Sequence, residues 1–487
     1  MKSCKSLVLF TFLAFVGCGS DDASPAANDA GPTDTGLGTD AATDAPSSEV
    51  AVDSSSDASP DAVVGMEKPA VVPLSASGHD RIFGLAWDPS GAAVYATGSI
   101  SDAVGADADT AFYVAKIKTD GSLDNSFGTS GVVRKNVIAK KGGEVARGIV
   151  VQKSGKIVVA GAVEHAGATD DRDRDLALVR FTADGKVDTT FGTDGVAIFD
   201  LSDGELVGTT YVADSQWGLS VLPDDKLVVS GRQKAVGRTD TDYAVLKLTA
   251  DGARDTTFGT NGLFTLDIDN TNADPRGVTL LDGGAMVLAG YFKDKDNITR
   301  PMLAKIKAEG VLDTTFGKNG VFGEVVLASA TEAYGAVLQG TSFVTIGYGR
   351  GSTTESLDWI SLRVTAAGAL DKTFGKDGVV RVDVAGQNDN GRALTVLPDQ
   401  RILAVGGGRP TSTNADAMLL LLERDGVPDT KFGTGGYRLF DLGGPNDFFW
   451  AAEVSPKKDL VVLGGVRGVD ATTTDDDDSA IFFLRIP

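Results

Sequence analysis

"DLALVRFTADGKVDTTFGTDGVAIFDL", residues 175–201, joins two short apolar runs through a polar turn and a compact motif. Both runs are rich in Val, Ile, Leu and Phe and are bounded by Asp and Gly, the marks of strands rather than helices. The motif between them, D-x-x-F-G-x-x-G at 188–195, starts again at Asp124, Asp255, Asp313, Asp371 and Asp429. Its phenylalanines, Phe127, Phe191, Phe258, Phe316, Phe374 and Phe432, are separated by 64, 67, 58, 58 and 58 residues. Self-similarity at such a period points to a repeat architecture, in which each unit is one supersecondary element.

Upstream of the quoted stretch stand ARGIVVQ (146–152), a polar turn, and KIVVAG (156–161). One unit therefore holds four strand-like runs, lettered A to D. The A–B pair occurs seven times, and B ends on Gly98, Gly161, Gly231, Gly290, Gly347, Gly406 and Gly464. B runs are apolar without alternation, which suits strands covered on both faces. These features predict an all-β fold, a seven-bladed β-propeller of four-stranded antiparallel blades over residues 68–487; a solenoid of the same strands is the alternative. A, B and C occur seven times but motif-plus-D only six. PAVVPLS (69–75) precedes the first A run with the spacing of a D strand. It is expected to pair with the last C run, AIFFLRI (480–486), and so close the ring and remove an exposed edge. Its prolines suit an outer edge strand.

The string ADGKVDTTFGTDG (183–195), with KIVVAG upstream, resembles the delta-60 repeat family of bacterial secreted proteins over essentially all of residues 68–487. The A–B glycine pattern is similar to that of kelch propellers. The resemblance implies the strand order and brings no established activity.

A catalytic motif would have to converge on one pocket, whereas six equivalents around a ring mark six separate places. The motif is therefore read as a structural staple. Asp124, Asp188, Asp255, Asp313, Asp371 and Asp429 are expected to cap the C–D turn by accepting backbone N–H bonds two and three residues on. The glycine after each Phe allows a positive φ, and the second glycine opens the D strand. Each Phe fills space between adjacent sheets, a burial worth about 1.5–3 kcal/mol.

The amino-terminal stretch carries different information. Lys2 and Lys5 precede the apolar run LVLFTFLAFV (7–16), too short to span a bilayer and placed like an export signal. The ending Phe15-Val16-Gly17-Cys18 resembles the lipobox of bacterial lipoproteins, which implies lipidation of Cys18 and a signal peptide at 1–17; an ordinary secretory signal is the alternative. By the same resemblance, Gly19 carries no mark of retention in an inner membrane, so the outer membrane or cell surface is the expected location. Residues 18–67 are acidic and lack aromatics and, up to residue 67, basic groups. Such a segment buries too little apolar surface to order itself and reads as a disordered tether. Only Cys4 and Cys18 are present, so the body has no disulfide to rely on. The formal charge of −22 disfavours nucleic acid and anionic lipid as partners. The membrane is met only through the anchor, and a monomer is expected.

In this strand order the B–C and D–A loops share one face, which carries the longer, more variable segments. At the start of the A runs lies a set of positions each followed by Gly or Ala: Phe83, Arg147, Trp217, Arg276, Tyr334, Arg392 and Trp450. Arg and aromatics at a channel mouth suit a sugar or a carboxylate. The plainer reading is inter-blade packing, with Arg paired to Asp80, Glu144, Asp274 or Asp389. Acidic B–C loops, with Asp107, Asp109, 170–175, Asp240, Asp242, Asp294, Asp296 and 475–478, offer oxygens to Ca²⁺. None fits the D-x-D-x-D-G…E loop, and solvated loop charge is the plainer reading; Asp175, Asp242, Asp358 and Asp416 precede C runs, which suggests turn capping. His79 and His165 are the only histidines, and no catalytic signature accompanies them. The expected function is thus a non-catalytic, envelope-anchored binding module for a glycan, peptide or protein, without a required cofactor. A metal-assisted hydrolase or lyase and a purely structural envelope component are the alternatives.

Overall fold

The computed structural model describes residues 66–76, 78–104, 108–139, 143–165, 173–207, 210–469 and 477–486. The signal segment, Cys18 and nearly all of the tether lie outside them, as do Asp107, Asp170, Asp171, Asp475 and Asp476. No helix among the described residues is long and apolar enough to cross a membrane.

Short runs of β-branched residues punctuated by Gly and Asp build seven four-stranded antiparallel blades. In chain order their A strands are Asp80–Trp87, Val145–Val151, Ser215–Val221, Ala273–Leu280, Ala330–Gln339, Asn390–Val396 and Phe448–Val454. The second blade, taken as the example, runs Val145–Val151, Ile157–His165, Asp173–Phe181 and Val196–Phe199, paired in that order. Successive A strands touch one another, and the last touches the first, so the row of sheets comes full circle. B strands such as Ala93–Ser101 are buried along their whole length, and the Thr97 hydroxyl within that strand donates to Tyr113 O at 2.6 Å. A single parallel bridge, Thr299 to Ala330, links blades 4 and 5.

Closure comes from the amino-terminal end. Ala70–Val71 pairs with Ile481 and Ala480, Val72 N–H donates to Ser479 O at 2.7 Å, and Met66 N–H donates to Phe483 O at 2.8 Å. The ladder is shorter than the seven residues expected. Pro73 has no N–H to continue it, and Leu74 and Ser75 turn inward to donate to the Asp80 carboxylate at 2.9 Å each.

Each motif occupies the C–D turn and reaches into the next blade. The six Phe rings are buried, Phe258 completely and Phe432, the least, at 7% exposure. The carboxylate accepts the N–H two residues on, from Thr190 to Asp188 at 3.2 Å and from Thr373 to Asp371 at 3.1 Å, and, except in the Asp429 copy where Lys431 stands, the hydroxyl of the same residue. The N–H three residues on, that of Phe, goes instead to the Asp main-chain carbonyl, as in Phe258 to Asp255 at 3.0 Å. This frees the second carboxylate oxygen for a cation. Asp188 takes Arg180 at 2.7 Å and Lys156 at 2.9 Å, Asp255 takes Lys226 at 2.9 Å, and Asp371 takes Arg363 at 2.7 Å.

The glycine after Phe has φ of 51–54° in five copies, and its N–H crosses the blade boundary: Gly192 to Asp251 O at 3.0 Å, Gly259 to Glu309 O at 2.8 Å, Gly375 to Asp425 O at 2.7 Å. Gly433 differs, with extended φ of −179°, and its copy runs into the short turn Thr434–Gly436. The seventh blade draws its D strand from the other end of the chain, so no C–D turn lies there for Gly433 to reach. The second glycine does more than open a strand. It takes positive φ in all six copies, 84–98°.

Candidate functional site

The axis is built by a repeated irregularity. Every A strand slips register by one residue against its B strand, and the skipped residues are Phe83, Arg147, Trp217, Arg276, Tyr334, Arg392 and Trp450. A bulge leaves one residue unpaired and re-aims its side chain, here toward the axis, where all seven line one cavity of about 250 Å³. The small residue that follows lies in tight quarters in blades 1 to 3, whereas a Cβ on Gly277 or Gly335 would find only ordinary contacts at 3.5 Å or more. A Cβ on Gly84 would meet Arg147 O at 2.8 Å, and one on Gly148 would meet the Leu219 Cβ at 2.4 Å.

The seven side chains form a closed band in which cations and aromatics alternate. The Arg147 guanidinium lies 5.9 Å from the Phe83 ring centre and 4.4 Å from that of Trp217. Arg276 lies 3.9 Å from Trp217 and 4.7 Å from Tyr334, and Arg392 lies 4.4 Å from Tyr334 and 4.5 Å from Trp450. Alternation cannot close on an odd number, so two aromatics meet at the seam: Phe83 packs edge-on against Trp450 at 5.1 Å. Trp217, Arg276, Tyr334 and Arg392 are buried, and each desolvated cation–π contact is worth up to about 2 kcal/mol. The indole N–H groups of Trp217 and Trp450 are buried with no acceptor among the described residues. Below the band the cavity wall continues through Thr279, Val337 and Glu453.

Of the four carboxylates expected beside the arginines, Asp274 is there, 3.8 Å from Arg276 and 2.5 Å from Arg232. Asp80, Glu144 and Asp389 are engaged elsewhere. Each is buried and accepts main-chain N–H groups of its own D–A loop, as Glu144 does from Val137 at 2.9 Å and Asp389 from Val384 at 2.7 Å. Asp214 and Asp447 do the same for Leu201 and Leu442, and the Thr331 hydroxyl accepts from Leu327 in blade 5. An acid three residues before the band position in five of seven blades is a signal legible in the sequence and not read there. Burial pushes Glu144 and Asp389 up to about 7, Asp214 to about 8 and Asp447 to about 6, despite these hydrogen bonds. Glu332, near Arg276 and Arg392, is likewise raised by burial to about 7, the two guanidiniums opposing the rise.

The loop aspartates divide by blade. Asp240, Asp242 and Asp267 surround Arg238, and Asp358 pairs with Arg381. Asp294 caps its turn, accepting from Asp296 N and Ile298 N at 2.9 Å. Asp175, Asp242, Asp358 and Asp416 lie within the C strands rather than ahead of them. Two of them, Asp242 and Asp358, form ion pairs instead of capping a turn. Three trios, 175/200/214, 240/242/267 and 358/383/389, bring carboxylate oxygens within 4.8 Å of one another; in the last two an arginine supplies positive charge. His79 Nδ1 accepts from Asp477 N at 2.9 Å in the seam between blades 7 and 1, while His165 ends the B strand of blade 2.

The profile of a family described as a domain of unknown function (DUF5122) beta-propeller matches residues 96–127, 152–191, 222–258 and 284–316. Each match ends on a motif phenylalanine; the first begins within a B strand and the other three in the A–B turn before it. No curated protein matches the sequence. Among solved structures, a glucose dehydrogenase is similar at 13% identity and TM-score 0.40, over 69% of this chain and 96% of that one. The α-L-arabinofuranosidase ARB93A from Fusarium graminearum is similar at 11% identity and TM-score 0.39, over 69% and 92%. An ulvan lyase of polysaccharide lyase family PL25 is similar at 11% identity and TM-score 0.41, over 87% and 95%. These likenesses carry no argument about activity.

Proposed function

We propose that this beta-propeller repeat protein is a non-catalytic binding module, held at the outer membrane or cell surface through lipidated Cys18, that receives an anionic group of an envelope glycan, peptide or protein on its axis. The observation that carries the reading is the band. Seven bulges turn three guanidiniums, and the unsatisfied N–H donors of Trp217 and Trp450, toward one cavity. Such a lining is rich in donors and suits oxygen acceptors, above all carboxylate or sulfate. Packing and binding are compatible here, because side chains already ordered against their neighbours lose little entropy when a ligand arrives.

The test is a glycan and peptide array probed with the purified chain and with Arg392→Gln. Acidic members bind and neutral ones do not, and for at least one acidic member the substitution abolishes the signal. An array without hits refutes the reading and leaves a structural role in the envelope. Stoichiometric metal whose removal abolishes a hydrolytic or lyase activity would instead make the protein an enzyme. For the anchor, Cys18→Ala is expected to release the chain from the membrane fraction.

A further inference from the structure

The fold repeats seven times, yet among the described residues only one D–A connection carries its own hairpin, Glu205–Val207 against Thr210–Val212. Ring closure needs nothing of the kind. The hairpin is fixed to blade 3 by the ion pair of Glu205 with Lys234 at 3.1 Å and to blade 2 by Gly204 N–H donating to Asp173 at 2.8 Å. So held, it walls a recess of about 360 Å³ at the junction of blades 3 and 4. Tyr211 comes from the hairpin, Arg232 and Thr239 from blade 3, and Asn272, Tyr291 and Lys293 from blade 4. That volume is at the small end of ligand sites and suits a single ring rather than a stretch of polymer.

The chemistry of the lining is specific. Asp274 holds Arg232 at 2.5 Å and lies 3.4 Å from the Tyr291 hydroxyl, which also accepts from Arg276 Nη2 at 3.4 Å. These groups are thereby oriented before any ligand arrives. The Lys293 ammonium makes no ion pair or hydrogen bond among the described residues, and its main chain is fixed by donation to Asn272 O at 2.9 Å. The lining residues carry two cations, Arg232 and Lys293, against the one carboxylate of Asp274, a formal charge of +1 on a chain of net charge −22. Tyr211 and Tyr291 line the recess, Tyr291 with one ring face under the Arg276 guanidinium at 5.2 Å, and the exposed Thr239 and Asn272 side chains offer hydrogen bonds to hydroxyls. Charge selects an anion, and the aromatic and hydroxyl-matching groups select a sugar carrying it. We infer that the recess walled by the paired strands Glu205–Val207 and Thr210–Val212 binds a uronic acid unit of an acidic polysaccharide, its carboxylate on Lys293.

This site is separate from the axial band, and the experiment keeps the two apart. Calorimetric titration of the full chain uses disaccharides containing glucuronate, galacturonate or mannuronate, each beside the neutral disaccharide of the same linkage. At least one uronate binds about tenfold or more tighter than its neutral counterpart, by about 1.4 kcal/mol, and more weakly as salt is raised. Lys293→Met removes that preference while Lys293→Arg keeps it, and neither moves the melting temperature. Equal binding of acidic and neutral sugars, no binding of any uronate at millimolar concentration, or an unaffected Lys293→Met variant overturns the inference. Preference for an acidic peptide over every uronate does so as well. Uronate binding lost in Arg392→Gln and kept in Lys293→Met would place the ligand on the axis instead.

Discussion

Phe258→Ala tests the idea that the motif staples blades together. The ring is fully buried in a cluster with Tyr243, Met286, Leu288, Met302 and Ile306, drawn from blades 3 and 4. The Lys247 ammonium lies 5.6 Å from its centre, and a Cβ on Gly310 of the next blade would come within 2.9 Å of it. Truncation forfeits the transfer term and leaves a cavity, together about 3–5 kcal/mol. Collapse into that cavity is limited. The turn is pinned by Gly259 N–H to Glu309 O at 2.8 Å and by the Asp255 cap, which the substitution leaves in place. Guanidinium titrations followed by circular dichroism and by fluorescence give the difference as the midpoint shift times the slope, provided the slopes agree. A change below about 0.5 kcal/mol, the range of surface substitutions, would refute the staple. Phe432→Ala should cost less, since its copy lacks the inter-blade N–H bond.

Four further outcomes follow from the same geometry. Gly252→Ala puts a Cβ 2.6 Å from the Phe191 ring at φ +85°, whereas Gly283→Ala at φ +76° meets nothing within 4 Å. The second should cost only the left-handed strain of about 1–2 kcal/mol and the first clearly more; equal midpoints would contradict the inter-blade packing. Raised carboxylates at Glu144, Asp214, Asp389 and Asp447 mean that the folded state holds more protons than the unfolded one above about pH 4. Stability therefore falls as pH rises from about 4 to about 8, and Asp214→Asn flattens that fall; a melting temperature rising across the interval would be the opposite sign. Asp255 and Asp313, held down to about 2 by their threonine and lysine bonds, lose their contribution as pH drops from about 4 toward 2. Finally, deleting residues 66–75 bares the edge of the last blade. Size-exclusion chromatography should show association and melting should shift down, while an unchanged monomer would mean that the closing strand is dispensable.

Strand identity, blade number and the closing segment are local or periodic properties, and they were legible before any coordinates. Val, Ile and Leu between Gly and Asp must extend, and a period of about 58 residues must stack. The pairing of an A-run position with a following Gly or Ala was legible too, because close approach at an axis favours small side chains. What those positions do was not. A bulge is a slip between two strands, so only the paired sheet shows that Arg147, Arg276 and Arg392 leave the ladder and stack between Trp217, Tyr334 and Trp450. The carboxylates show the same division. Their spacing before the band stood in the sequence, but whether Glu144 meets an arginine or its own loop depends on which groups burial leaves within reach. The recess under the hairpin belongs wholly to tertiary structure, since Lys293, Arg232 and Tyr211 are apart in the chain and meet only because the hairpin and two adjacent blades bring them to one place. Periodicity is written along the chain and survives in one dimension, whereas a binding surface is a property of distances that exist only after the ring has closed.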